Sequence, residues 1–151
     1  MAVLVYIESP KGKIKKTGYE VAYYGYKLAE SLGTDCVALL IGKADDPGSP
    51  GKYGANKVIH VNPDQETEFD SQVYVSIISQ VANEQNTDVV VLANTANGKN
   101  LTGRLAIRLE AGCVSGVNSL PDITNGFVVS KSVYSGKAIV KYAIETQKKV
   151  I

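Results

Sequence analysis

The residues best placed by type and spacing to do chemistry are Asn94-Thr95-Ala96-Asn97-Gly98-Lys99-Asn100. They follow an apolar run and open a segment of helical period. Ligands of open parallel sheets sit beyond the carboxyl ends of the strands. A helix start there offers unpaired N–H groups and partial positive charge to an anion. Gly98 permits close backbone approach and Lys99 adds charge, so Asn97, Gly98, Lys99 and Asn100 are the candidate phosphate contacts. The same stretch also reads as an ordinary strand-to-helix loop capped by Asn97 or Asn100. Established phosphate signatures do not occur: there is no Gly-x-x-x-x-Gly-Lys-[Ser/Thr], and Ser9-Pro10-Lys11-Gly12-Lys13 stands where Gly-x-Gly-x-x-Gly would follow a first strand.

Other groups with chemical potential are scattered. Arg104 and Arg108 stand one helical turn apart, opposite an apolar stripe, where they can meet carboxylates of a partner or simply face water. Tyr19, Tyr23, Tyr24 and Tyr26 crowd one helical segment. A large ring with a polar tip suits an interface, and it equally suits a half-buried cover for a sheet edge. Tyr19, Tyr23, Arg104 and Arg108 are the candidate partner contacts. His60 has no nucleophile or orienting carboxylate at recognisable spacing and reads as structural. Asp45-Asp46 and Glu66-Thr67-Glu68 read as solvated loop carboxylates. Cys36 and Cys113 lie in separate apolar segments; one disulfide is formally possible, but two buried thiols acting as small hydrophobes is the favoured reading. One histidine and no paired cysteines argue against a metal site. No catalytic triad or acid–base pair is legible, so the chain does not read as an enzyme.

These residues need a scaffold, and the periodicity supplies one. Near-continuous apolar runs at residues 2–7, 35–41, 57–61 and 88–93 predict strands covered on both faces. Amphipathic segments at 18–32, 70–84 and 99–110 predict helices between and after them, with Gly33 ending the first and Asp70 or Ser71 capping the second. The expected apolar set of the second helix is Val73, Ile77, Ile78, Val81 and Ala82. Alternation of this kind predicts an α/β fold: a three-layer, doubly wound, mostly parallel sheet. Residues 127–133 and 137–144, joined by Tyr134-Ser135-Gly136, predict a C-terminal β-hairpin extending the sheet antiparallel at an edge. Val150-Ile151 reads as the beginning of a further strand. The whole, residues 1–151, fits one domain.

A formal net charge of +1 and the lack of a basic stripe argue against nucleic acid. No apolar run is long enough to span a bilayer, and the first residues show neither a basic leader nor a cleavage site. The expectation is therefore a cytoplasmic protein without membrane insertion.

Several segments resemble one family. Val3-Leu4-Val5-Tyr6-Ile7-Glu8, followed by a helix ending Leu28-Ala29-Glu30-Ser31-Leu32-Gly33, is similar to the start of electron transfer flavoprotein alpha subunits. So are Tyr53-Gly54-Ala55-Asn56-Lys57-Val58, the run from Gly98 to Leu109 (Gly-Lys-Asn-Leu-Thr-Gly-Arg-Leu-Ala-Ile-Arg-Leu), and the hairpin Val133-Tyr134-Ser135-Gly136-Lys137-Ala138. The chain departs from the pattern at Gly103, Lys131 and Lys137. The resemblance implies the N-terminal domain of such a subunit, Rossmann-like and similar to adenine-nucleotide alpha-hydrolase-type domains. It further implies FAD held by a separate C-terminal domain, with no cofactor expected on these residues. Implied partners are a beta subunit, dehydrogenases as electron donors, and an electron acceptor such as a quinone reductase. Apart from its partner, the chain is expected to be able to self-associate. The alternative reading is a freestanding adenine-nucleotide-binding domain of related fold.

Overall fold

A computed structural model describes residues 1–62 and 69–151. Glu66-Thr67-Glu68 therefore lie outside the described residues. Six strands form one sheet in the order β3-β2-β1-β4-β8-β5. They are β1 (Ala2–Ile7), β2 (Asp35–Ile41), β3 (Lys57–Val61), β4 (Thr87–Leu92), β5 (Gly112–Cys113) and β8 (Lys149–Val150). Every pairing in it is parallel. β5 had no clear signal in the sequence because two residues are too few to show a period. β8 lies between β4 and β5, and the backbone of Ile151 extends it by bonding Val90 and Leu92.

The alternation of side chains along β1 divides the core into two. Val3, Val5 and Ile7 face one side, where α1 (Lys16–Leu32) lays down Ala22, Leu28 and Ala29. Leu4 and Tyr6 face the other, where α2 (Ser71–Glu84) contributes Ile78 and Val81 and α3 (Ala96–Leu109) contributes Leu101 and Leu105. This burial on both faces explains why the strands read as continuous apolar runs.

Several boundaries move. α1 starts two residues early, at Lys16, and ends at Gly33 as expected. Asp70 caps α2 by accepting from the amides of Gln72 and Val73. The buried face of α2 runs through Val75 rather than Val73, which stands exposed. β4 sits one residue earlier than the apolar run predicts.

The hairpin is present but not where expected. β6 (Val128–Val133) and β7 (Ala138–Ala143) form a separate two-stranded antiparallel sheet and do not extend the main one. Its base is anchored on the α1 side of the core through Phe127, Val129 and Ile144. Residues 117–122 run beside β6 and bond it on its far side, so β6 has no free edge to offer the large sheet.

Candidate functional site

The chain runs from β1 to β2 and β3 on one side, then crosses to β4 on the other. The topological switch point, the place where open α/β sheets bind ligands, therefore lies beyond β1 and β4. A cleft of about 210 Å³ opens there, lined by Glu8, Pro10, Lys15, Thr17, Thr95, Ala96 and Asn97.

Two residues decide its chemistry. Glu8 follows β1 directly, and Thr95 closes the loop after β4. The Thr95 hydroxyl donates to Glu8 Oε1 at 2.5 Å and accepts from the Gly98 amide at 3.1 Å. The Thr95 carbonyl accepts from the Lys99 amide at 2.9 Å. Thr95 is thus the N-cap of α3, and a negative side chain of the protein itself sits at the positive end of the helix dipole. Sequence reasoning singles out neither Glu8 nor Thr95 as a site residue, and nothing in the sequence shows that they touch across 87 positions.

This arrangement corrects the reading of the 94–100 stretch. It is no open loop: α3 already begins at Ala96, so Asn97, Gly98, Lys99 and Asn100 occupy its first turns, and neither Asn97 nor Asn100 is the cap. Only Asn97 of the four reaches the cleft. Lys99 and Asn100 are exposed on the helix. Gly98 does permit a close approach, but to the chain's own backbone: a Cβ there would come within 1.9 Å of the Ala93 carbonyl oxygen. The Thr102 hydroxyl then donates to the Gly98 carbonyl at 2.8 Å, so the first turn is tied on both sides.

The cleft is a poor match for a dinucleotide such as FAD. Pockets for ligands of drug size start at about 300 Å³, and a pyrophosphate here would meet the Glu8 carboxylate. No group of three or more His, Cys, Asp or Glu among the described residues is arranged to hold a metal ion.

The remaining candidates do not converge. Arg104 and Arg108 are exposed on α3, opposite its buried stripe, with Ile107 between them 82% exposed. Tyr19 is half-buried; its ring stacks on Tyr53 at 4.5 Å and its hydroxyl bonds Ser49. The Tyr24 hydroxyl donates to the Ser119 carbonyl, and burial pushes its phenol well above the usual range. Of the four helix tyrosines, only Tyr23 is mostly exposed, at 54%. Because α1 and α3 cover opposite faces of the sheet, the tyrosines and the arginines do not form one patch.

His60 is exposed, with Nε2 2.5 Å from the Gly42 carbonyl oxygen, a backbone-tethering role. Asp45 and Asp46 are exposed, as expected. The cysteines differ from expectation. Cys36 is buried in β2, and burial pushes its thiol up to about 12. Cys113 is exposed, because β5 is the outermost strand of the sheet rather than an interior one. Both are free thiols.

No helix among the described residues is long and apolar enough to cross a membrane. Residues 3–151 match the electron transfer flavoprotein domain family. The electron transfer flavoprotein subunit alpha of Syntrophomonas wolfei is 28% identical over 142 residues, covering 93% of this chain and 44% of that protein. The subunit of the same name from Clostridium acetobutylicum is 27% identical over 141 residues, covering 91% of this chain and 42% of its own length. The acryloyl-CoA reductase electron transfer subunit beta of Anaerotignum propionicum is 28% identical over 128 residues, covering 83% and 35%. The chain spans less than half the length of these relatives.

Proposed function

This chain belongs to the electron transfer flavoprotein family, and from that membership we propose that it serves as the N-terminal scaffold and subunit-interface domain of an alpha subunit. On this reading residues 1–151 form a single domain that contributes shape and surface, while FAD is carried by a further domain of the full-length protein. The complete protein, a heterodimer with a beta subunit, would take electrons from dehydrogenases and pass them to a quinone reductase or another acceptor. The observation that carries the reading is that Glu8 bonds Thr95 at the ligand end of the sheet, setting a carboxylate where the phosphate of a nucleotide would sit. A sheet with both faces buried suits the mechanical requirement, because a flavin that must reach different partners needs a platform that does not deform.

The test is a ligand and partner titration. The purified chain is expected to be colourless, to give no heat with FAD, AMP or ATP in calorimetry, and to form a one-to-one complex with the beta subunit. Micromolar or tighter binding of AMP or ATP by the chain alone would overturn the scaffold reading. It would restore Asn97, Gly98, Lys99 and Asn100 as a nucleotide site in a freestanding domain.

A further inference from the structure

The sequence holds two Asn-Gly dipeptides, Asn97-Gly98 and Asn125-Gly126. Asn-Gly is the pair most prone to spontaneous loss of the side-chain amide, because a glycine without a Cβ lets its backbone nitrogen approach the asparagine side chain. The reaction needs a backbone free to rotate, a following amide nitrogen without another partner, and water. The fold withholds these from the first pair. Asn97 and Gly98 lie in the first turn of α3. Gly98 is buried, and its amide donates to the Thr95 hydroxyl at 3.1 Å. The Ala93 carbonyl packed against Gly98 leaves this peptide no room to turn. Helical dihedrals at Asn97 also hold the Gly98 nitrogen away from the side-chain carbonyl carbon.

The second pair has all three. Asn125 and Gly126 are exposed in the turn that leads into β6. Gly126 has a φ of +98°, and nothing lies within 4 Å of where its Cβ would be. Among the described residues no group accepts from the Gly126 amide. The turn is nonetheless held at both ends. The Asp122 and Val128 amides each donate to the other's carbonyl, at 2.8 and 2.9 Å. The Asp122 carboxylate accepts from the amide and hydroxyl of Thr124. Phe127 is buried, and its carbonyl accepts from the Ile144 amide at 2.9 Å. Asn125 and Gly126 are therefore the free part of a short loop with fixed ends.

We propose that Asn125 is a site of spontaneous covalent modification, and that its conversion loosens the root of the β6–β7 hairpin. The Gly126 backbone nitrogen gives up its proton to a base in solution and attacks the side-chain carbonyl carbon of Asn125. The new N–Cγ bond closes a succinimide ring, the Cγ–Nδ2 bond breaks, and the amide leaves as ammonia. Water then opens the ring, and no electrons are gained or lost overall. Hydrolysis of the new bond gives aspartate at this position. Hydrolysis at the backbone carbonyl carbon gives isoaspartate, whose main chain runs through the former side chain and is longer by a methylene group. That extra length falls inside a loop with fixed ends, so the strain falls on the Asp122–Val128 pair that closes it. The site does not depend on the scaffold reading.

The test is an ageing experiment. Native full-length protein is held for days at mildly alkaline pH and sampled by peptide mapping with mass spectrometry. The peptide carrying Asn125 is expected to exchange its amide for a hydroxyl and to split into aspartate and isoaspartate forms. It should do so at least about tenfold faster than the peptide carrying Asn97, which must wait for α3 to open. In denaturant the two peptides are expected to react at similar rates, since only the fold distinguishes them. Asn125→Gln, whose longer side chain would have to close a less favourable ring, is expected to abolish the change at this position. In the isoaspartate form the Asp122 and Val128 amides are expected to exchange with solvent faster than in fresh protein. Asn125→Asp, which adds the charge without lengthening the main chain, is expected to leave their exchange as it was. A native protein whose Asn125 stays intact while the denatured chain reacts, or whose Asn97 reacts as fast, overturns the assignment of the site. Unchanged exchange of the Asp122 and Val128 amides in the isoaspartate form overturns its link to the hairpin.

Discussion

The two sheets of this molecule solve the same problem in opposite ways. In the six-stranded sheet every central strand has parallel neighbours, both faces are covered, and even the helix end at the switch point is satisfied by the chain's own Glu8. In the β6–β7 sheet one face rests on the core through Val129, the other faces solvent, and the outer edge of β7 is unpaired among the described residues. The difference separates what holds the fold from what the fold presents. Substitutions inside the first sheet should cost stability, and substitutions at exposed positions of the second should cost little.

The largest contrast expected is chemical. Cys36 lies inside the first sheet with its thiol pushed up to about 12, whereas Cys113 stands exposed on its outermost strand. At pH 8 a thiol of that pKa is ionised to only about one part in ten thousand, and thiolate is the reactive form. Thiol titration of the native chain should therefore modify Cys113 rapidly and Cys36 only after denaturant is added. Two fast thiols would mean that the sheet opens far more readily than its packing implies.

Next in size is Gly98→Ala. Its Cβ would lie 1.9 Å from the Ala93 carbonyl oxygen, a clash with backbone that no rotamer relieves. A loss of about 3 kcal/mol or more is expected from denaturant unfolding. Leu4→Ala, at a fully buried position of β1, should cost about 2–5 kcal/mol by emptying space that close-packed neighbours only partly refill. Thr95→Ala should cost about 1 kcal/mol, the worth of an N-cap. Last, Ile139→Ser on the hairpin should change stability by less than about 0.5 kcal/mol, since the side chain is mostly in water already. If Ile139→Ser cost as much as Leu4→Ala, the hairpin would be part of the core and the comparison would fail.

How much of this could be read in advance followed the reach of each signal. β1, β2 and β3 were legible to the residue because buried parallel strands write long apolar runs. The Gly33 stop and the Asp70 cap were legible because their chemistry is local. The start of α3 was missed because Asn97 and Asn100 resemble loop residues, while the actual cap, Thr95, works together with Glu8 from a distant strand. The hairpin itself was legible from its turn, but its partner was not: sequence period reveals that strands pair with each other and not what their outer edges meet. The exposure of Cys113 was hidden for the same reason, since the position of β5 at the sheet margin depends on β8, whose Lys149 and Val150 pair with Gly112 and Cys113 from far along the chain.

That late arrival has a consequence for how the molecule is made. β8 is inserted between β4 and β5, so neither of those strands has its final neighbour until residues 149–151 have left the ribosome. During synthesis β1 to β4 can assemble as they emerge, but the far side of β4 stays an open, apolar edge and β5 has nothing to pair with. Pairings of such long sequence separation are slow to form, and an unpaired apolar edge invites aggregation in the interval. A vulnerable interval during synthesis is therefore the wait for β8, and a stall in translation before residue 149 would leave β1 to β4 as a sticky four-stranded intermediate.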